Sequence, residues 1–183
     1  MIVHRIKDLS DSYVISLLKD GLQHIAADHL LKNYHPDWAN NSANLFYILK
    51  EGRFDYGNYF VMEEDGKYVG SAGWNPYGDV ALVLTRAFIP VAERRKYNMA
   101  HYLLPIIFEE TFDFKKLWIT CNDYNFTIYQ ALTRLQDGKS AGLFSTWPPI
   151  YKKFVPVGKK TVYYTEQYVA EYIRNNDDTA RKN

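Results

Sequence analysis

The chain has little that is typical of a secreted, membrane or metal-binding protein. It contains one cysteine, Cys121, in 183 residues, which excludes an intramolecular disulfide and provides no cysteine spacing for a metal site. Its 22 basic and 21 acidic residues leave a formal net charge of +1, so no overall field attracts nucleic acid or an anionic membrane. No apolar run approaches the roughly 20 residues that cross a bilayer, and the first residues do not resemble a signal peptide. We therefore expect a reduced, cytoplasmic protein with no nucleic-acid, membrane or metal partner.

Apolar residues, in contrast, are plentiful enough for a complete core. They make up 47% of the chain, and the length lies within the usual range for one domain. We predict a single domain over residues 1–174, followed by a polar, frayed tail over residues 175–183.

The N-terminal part predicts a strand and two helices. Branched residues at Ile2–Ile6 predict the strand, and periodic apolar residues from Val14 towards Leu31 predict the first helix. Gly21 lies inside that pattern, and because glycine disfavours a helix interior, the helix could break there or continue imperfectly towards Leu31. The loop around His35–Trp38 is a candidate lid, and Leu45–Leu49 predict a short second helix.

The central part predicts a mixed sheet. Tyr59–Met62 and Tyr68–Trp74 form a hairpin pattern around an acidic turn with a glycine, and Val80–Phe88 predict a third antiparallel strand. The apolar stripe of Leu103–Phe112 predicts a helix before the short interior strand Leu117–Cys121. A helical crossover between these last two strands requires them to be parallel. The fold class is therefore α/β in an α+β layout, with a mixed, mostly antiparallel central sheet.

The C-terminal third predicts two helices and two extended runs. The helices are expected at about Asn125–Leu135 and at Val169–Arg174, and the extended runs at Ile150–Val155 and Thr161–Tyr164. These runs could pair across a homodimer or cover the core of a monomer.

The turn after Val80–Phe88 is strongly basic. It reads Glu-Arg-Arg-Lys-Tyr-Asn-Met-Ala over residues 93–100, just before the next helix. Free backbone N–H groups and the positive end of a helix dipole attract anions, and three adjacent cations add to that attraction. An isolated basic triplet is more often a solvated loop, but the position after a buried strand favours a phosphate site.

Two patterns in this region match a known signature. Arg95, Asn98 and Ala100 occupy the first, fourth and last positions of the motif R/Q-x-x-G-x-G/A, with asparagine in place of glycine, and Asn122 is followed seven residues on by Tyr129. Together with the predicted element order, which covers nearly the full chain, these patterns resemble the GNAT superfamily of acyl-CoA-dependent N-acyltransferases. The resemblance implies helices on both faces of the sheet and acetyl-CoA as acyl donor, without a metal.

The resemblance also implies site residues. Backbone amides of the basic turn would hold the pyrophosphate of coenzyme A, and the end of the preceding strand would pair with the pantetheine arm. Tyr129 would protonate the thiolate leaving group, although one of 16 tyrosines is more often a packing residue. The implied cofactor-binding set is Phe88, Ile89, Arg94, Arg95, Lys96, Tyr97, Asn98, Met99, Ala100, Asn122 and Asn125.

A general base is harder to assign, because Val80–Phe88 contain no carboxylate. Glu63, Glu64 and Asp79 are the nearest acidic residues, and all three could be turn or rim charges. We predict a water-mediated route with Asp79 as the candidate catalytic carboxylate. Arg86 could point into the acceptor cleft and favour an anionic substrate, or extend from the sheet edge into solvent.

The functional prediction is an N-acetyltransferase that acts by direct attack of a primary amine, carried by a small molecule or a peptide. The alternative is a GNAT-fold binding module that has lost catalysis, which Asn98 and the missing strand carboxylate favour. A nucleic-acid binder fits the near-zero net charge least. His24 and His29 lie five residues apart, so they do not form the helical metal motif, and Cys121 is read as a small buried residue rather than a nucleophile.

Overall fold

The computed structural model describes residues 1–6, 12–27, 58–93, 96–121, 129–130, 133 and 149–175. The described residues include the α-helices α1 (Ser12–Ala27) and α2 (Met99–Glu110). Short 3₁₀ turns occupy Val91–Glu93 and Pro149–Lys153. The strands are β1 (Ile2–Ile6), β2 (Tyr59–Glu64), β3 (Lys67–Tyr77), β4 (Val80–Phe88), β5 (Lys116–Cys121), β6 (Val155–Val162) and β7 (Thr165–Ile173).

The strands form a mixed, mostly antiparallel sheet in the order β1-β2-β3-β4-β5-β7-β6. The pairs β1–β2, β2–β3, β5–β7 and β6–β7 are antiparallel. β4 and β5 are parallel, as the helical crossover through α2 requires. The predicted sheet class is therefore confirmed.

The chain divides into two units, and the first comprises Met1–Asn75 and Arg86–Met99. In this unit α1 buries Val14, Leu17, Leu18 and Gly21, which recur at helical spacing and form one apolar face. A Cβ atom on Gly21 would lie 2.5 Å from the ring of Tyr68. Of the two alternatives predicted at Gly21, the structure shows continuation: the helix runs on to Ala27 and needs a glycine where the tyrosine ring approaches.

The second unit comprises Pro76–Thr85 and Ala100–Asn183. Its helix α2 buries Ala100, Leu103, Leu104 and Ile107. A separate apolar cluster joins three strands through Leu82, Val162 and Val169, with Tyr77 and Trp118 packed against it.

The predicted terminal helix over Val169–Arg174 is wrong, because these residues belong to β7 except for Arg174. β7 lies between β5 and β6 and pairs with both, and such pairing overrides a weak local preference. The extended run predicted at Ile150–Val155 is largely a 3₁₀ turn. In the run predicted at Thr161–Tyr164, the first two residues end β6 and the last two form the turn that follows it.

A buried arginine that directly follows β7 forms hydrogen bonds with the last turn of α2 and with the turn after it. Arg174 is only 5% exposed, and its Nε donates a hydrogen bond to the carbonyl of Phe114 at 2.9 Å. Its Nη2 donates to the carbonyl of Phe108 at 2.5 Å and to the hydroxyl of Thr111 at 3.0 Å. The guanidinium also lies 3.8 Å from the centre of the Phe108 ring. One side chain thus donates both to the carbonyl of Phe108, in the last turn of the helix where carbonyls lack intrahelical donors, and to the carbonyl of Phe114 beyond the helix.

The candidate lid, the short second helix at Leu45–Leu49 and most of the helix predicted at Asn125–Leu135 lie outside the described residues. The single domain over residues 1–174 stays a prediction. No described helix is long and apolar enough to cross a bilayer.

Candidate active site

The strand that precedes the basic turn is irregular in its second half. The parallel pairing with β5 joins Val80–Leu82 to Lys116–Trp118, although β4 continues to Phe88. Leu84 and Arg86 have left-handed backbone, with φ of 55° and 48°. Such conformations cost on the order of 1–3 kcal/mol each and persist only when the surrounding structure holds them. The end of β4 is therefore held in a shape that a regular strand would not adopt.

Phe88 and Ile89, the predicted pantetheine-binding residues, lie against a glycine of β3. A Cβ atom on Gly70 would be 3.1 Å from the carbonyl oxygen of Phe88 and 3.3 Å from the Ile89 side chain. That approach is tighter than a side chain normally allows, so glycine lets β3 pass close beneath this segment. The position of the Phe88 carbonyl thus depends on β3.

The described part of the basic turn is tied together by Glu93. Its carbonyl accepts hydrogen bonds from the amides of Lys96 and Tyr97 at 3.0 and 3.2 Å, and its carboxylate lies 3.2 Å from Nζ of Lys96. The amides that follow, at the start of α2, have no carbonyl one turn earlier to bind. Among the described residues of the turn, the backbone amides of Asn98, Met99 and Ala100 are therefore candidate donors to an anion.

Asn98 supplies a further donor. Its amide nitrogen Nδ2 is enclosed and has no hydrogen-bond partner among the described residues. A buried donor in this condition costs about 1–3 kcal/mol, and an oxygen of a phosphate group would satisfy it. Asn98 is not among the described residues with left-handed backbone, so the turn does not require glycine there. The described residues of the turn thus fit a bound pyrophosphate.

The surroundings of the turn are not uniformly positive. Burial raises the pKa of the Tyr97 hydroxyl, and the carboxylates of Glu64, Glu93 and Asp65 raise it further, while Lys96 acts in the opposite direction. The other predicted cations and arm contacts, Arg94, Arg95, Asn122 and Asn125, lie outside the described residues.

The second unit contains the predicted proton donor. Tyr129 is helical, and its hydroxyl oxygen accepts a hydrogen bond from the backbone N–H of Gly158 at 2.9 Å. Gly158 lies at a register shift of β6 and has a φ of 86°, a backbone that favours glycine. The ring of Tyr129 also packs on Tyr168, with centroids 5.1 Å apart. Because the phenol oxygen accepts in this hydrogen bond, the hydrogen of the phenol is not used in it.

Asp79, the candidate catalytic carboxylate, lies in the turn between β3 and β4. Its side chain is 82% exposed and forms an ion pair with Lys116 at 3.6 Å. Its proposed role stays a prediction. Among the described residues, no group of three histidine, cysteine, aspartate or glutamate side chains could hold a metal ion.

Known structures share this architecture. A GNAT-family acetyltransferase from Bacillus anthracis matches with a TM-score of 0.58 at 11% identity, covering 93% of each chain. A second, from Bacillus cereus ATCC 10987, matches with a TM-score of 0.53 at 13% identity, covering 95% of this chain and 97% of that one. The PaiA N-acetyltransferase from Thermoplasma acidophilum, solved with coenzyme A, matches with a TM-score of 0.52 at 10% identity, covering 95% and 100%.

The chain has the fold of the GNAT-family acetyltransferases. No protein-family model matches the sequence, and no curated protein matches it. The predicted resemblance is confirmed for the fold, whereas the roles assigned to the turn, to the end of β4 and to Tyr129 stay predictions.

Sequence reasoning missed a polar cluster in the first unit of this GNAT fold. The carboxylate of Glu63 is nearly enclosed and lies 2.6 Å from Nε2 of His4. It also accepts a hydrogen bond from the Tyr13 hydroxyl at 2.7 Å. His4 pairs with Val61 across β1 and β2, so Glu63 is its diagonal neighbour. That register, rather than any spacing in the sequence, brings the three groups together.

The cluster predicts a pH dependence of stability. Hydrogen bonds from Tyr13 and His4 lower the pKa of Glu63 below its ordinary value of 4.5. A carboxyl whose pKa is lower in the folded state stabilises the protein at pH values above its ordinary pKa. This stabilisation is lost as the pH falls through the pKa of the folded state. We therefore expect the wild type to lose more unfolding free energy than Glu63→Gln between about pH 5 and about pH 3.

Urea unfolding of both proteins across this range measures the difference directly, because the other carboxylates titrate equally in both. Tyr13→Phe should show an intermediate slope, since it removes the largest contribution to the lowered pKa. Parallel curves for wild type and Glu63→Gln would contradict the assignment.

Proposed function

We propose that the protein transfers an acetyl group from acetyl-CoA to a primary amine of a small molecule or peptide. The observation that carries this proposal is the enclosed side-chain amide of Asn98 just before α2, which has no hydrogen-bond partner among the described residues. It lies in the turn that matches the pyrophosphate motif of the family whose fold the chain has, and one structural neighbour of that family was solved with coenzyme A.

In this proposal the donor is held along two neighbouring stretches of the chain. The amides of Asn98–Ala100 and the side chain of Asn98 would bind the pyrophosphate, aided by Lys96 and by the arginines at 94 and 95. The backbone of Phe88 and Ile89 would pair with the pantetheine arm, together with Asn122 and Asn125.

When bound, acetyl-CoA supplies a thioester whose carbonyl carbon forms a bond to the amine nitrogen while the C–S bond breaks. Tyr129 gives its hydroxyl proton to the departing sulfur. The N–H of Gly158, directed at the phenol oxygen, stabilises the phenolate that remains, because hydrogen bonds to a charged acceptor are stronger than neutral ones. Water removes the proton lost by the amine, with Asp79 as its candidate acceptor, and Tyr129 regains a proton from solvent.

Calorimetric titration with acetyl-CoA and with free coenzyme A tests the proposal. We expect saturable binding of both and an increase in melting temperature, because a ligand that binds only the folded state stabilises it by mass action. Asn98→Gly should raise the Kd of both ligands by about five- to tenfold, the value of one net hydrogen bond.

A detectable signal would justify a screen of amines by thiol release. Absence of binding at millimolar ligand would overturn the enzyme assignment and leave a GNAT-fold interaction module. Unchanged or tighter binding by Asn98→Gly would show that the side chain does not contact the ligand, and the proposal would lose the observation that carries it.

A further inference from the structure

Three buried hydroxyl groups form a continuous network inside the first unit. The Ser71 hydroxyl lies 2.6 Å from the hydroxyl of Tyr68 and 3.0 Å from that of Tyr59. Tyr59 and Ser71 are fully buried and Tyr68 is 3% exposed. Buried hydroxyls in an apolar core are retained only when their hydrogens and oxygens find partners.

The network has one direction. The Tyr59 hydroxyl donates to the backbone carbonyl of Arg86 at 3.2 Å, so its hydrogen is not available to Ser71. Ser71 must then donate to Tyr59, and Tyr68 must donate to Ser71, because each hydroxyl has one hydrogen. The chain of donors therefore runs Tyr68, Ser71, Tyr59 and ends at the carbonyl of Arg86.

That end point is a strained position in β4. Arg86 has left-handed backbone, with a φ of 48°, and a residue of this kind needs support from its surroundings. Two residues further on, the Phe88 carbonyl lies against Gly70, the neighbour of Ser71 in β3. Two adjacent residues of β3 thus support the segment 86–89. Ser71 supports its start through the hydroxyl network, and Gly70 contacts its end directly.

Resting on the proposed function, we infer that this network sets the backbone of Phe88 and Ile89 for the pantetheine arm and that Tyr59 is its positioning residue. A strand pairs with an extended ligand through N–H and C=O groups whose directions must match. A rotation at Arg86 changes the direction of the groups that follow it. The hydrogen bond from Tyr59 opposes that rotation before any ligand binds.

The hydroxyls keep their hydrogens under ordinary conditions. Burial raises the pKa of Tyr59 to about 12, although Ser71 and the charge of Arg86 lower it in part. Burial also raises the pKa of Tyr68 well above its ordinary range. The network is therefore a fixed support at physiological pH.

The matched variants are Tyr59→Phe and Tyr68→Phe. Each removes one buried hydroxyl bonded to Ser71, but only Tyr59→Phe removes the bond to Arg86. The ligands are coenzyme A and adenosine 3′,5′-bisphosphate, which lacks the pantetheine arm. We expect Tyr59→Phe to raise the Kd of coenzyme A about tenfold while the Kd of the bisphosphate stays within about twofold. Tyr68→Phe should leave both affinities within about twofold of wild type.

Amide hydrogen exchange of the ligand-free proteins gives a second readout. Peptides that cover residues 83–93 should exchange about tenfold faster in Tyr59→Phe and at the wild-type rate in Tyr68→Phe. If the hydroxyls only stabilised the fold, the two variants would show the same changes in hydrogen exchange and in affinity. That result would overturn the inference. Equal weakening of both ligands by Tyr59→Phe would also overturn it. Failure of the wild type to bind coenzyme A would instead overturn the proposed function, and this inference with it.

Discussion

Tyr129→Phe should lower turnover about 100-fold and leave the affinity for acetyl-CoA within about twofold of wild type. The phenylalanine keeps the ring that packs on Tyr168 but removes the proton for the departing thiolate. The loss should therefore appear in kcat rather than in binding. Thiol release with the best amine from the acceptor screen measures turnover, and calorimetry measures binding.

Tyr168→Phe is the matched control, since it removes a neighbouring hydroxyl and keeps the ring contact. We expect its turnover to stay close to wild type. Tyr129→Phe also leaves the N–H of Gly158 without its acceptor, which should cost about 1 kcal/mol of unfolding free energy. A loss of stability without a loss of turnover would identify Tyr129 as a packing residue.

Arg174→Met should be the most destabilising substitution outside the apolar core. Methionine fills much of the same volume but leaves the carbonyls of Phe108 and Phe114 and the hydroxyl of Thr111 without this donor. Removing a buried charged donor commonly costs about 3 kcal/mol or more, which corresponds to a fall in melting temperature of about 10 °C for a chain of this length. Urea and thermal unfolding at neutral pH measure both quantities.

Arg5→Met is the matched control, because Arg5 is exposed and its guanidinium lies 5.6 Å from the centre of the Phe60 ring. Its effect should stay below about 1 kcal/mol. Arg174→Lys keeps the charge but cannot reproduce the planar fork of donors, so we expect an intermediate loss. Equal stability of the two methionine variants would show that the buried contacts of Arg174 contribute nothing.

Strands with a clear local run of branched and apolar residues could be predicted from the sequence with accurate bounds. Val80–Phe88 and Ile2–Ile6 are strands with the predicted ends, because branched and apolar residues are concentrated there. β7 could not be predicted, since its strand conformation depends on pairing with β5, which is distant in sequence, as well as with the adjacent β6. The choice between the two alternatives at Gly21 could not be made from the sequence for a similar reason, because its partner, the ring of Tyr68, lies in another element.

The candidate site also combines local features with features that depend on residues distant in sequence. The basic turn and Asn98 are local features that can be read from the sequence alone, and their roles stay predictions. The hydroxyl network is not local: Tyr59 pairs with Gly73 and Val61 with Ser71, so the contact between Tyr59 and Ser71 requires the register of β2 and β3. Its end point, the left-handed Arg86, carries no sequence signature because left-handed backbone is mainly a property of glycine and asparagine.

The irregular course of β6 affects how the protein should behave in concentrated solution. β6 is the last strand of the described sheet, and its outer edge contains Pro156 and the register shift at Gly158. Exposed Lys159 and Lys160 follow. An edge strand interrupted by proline, a bulge and like charges is a poor template for another strand. We therefore expect little aggregation through this edge, even at the high protein concentrations that calorimetry of a weak ligand requires.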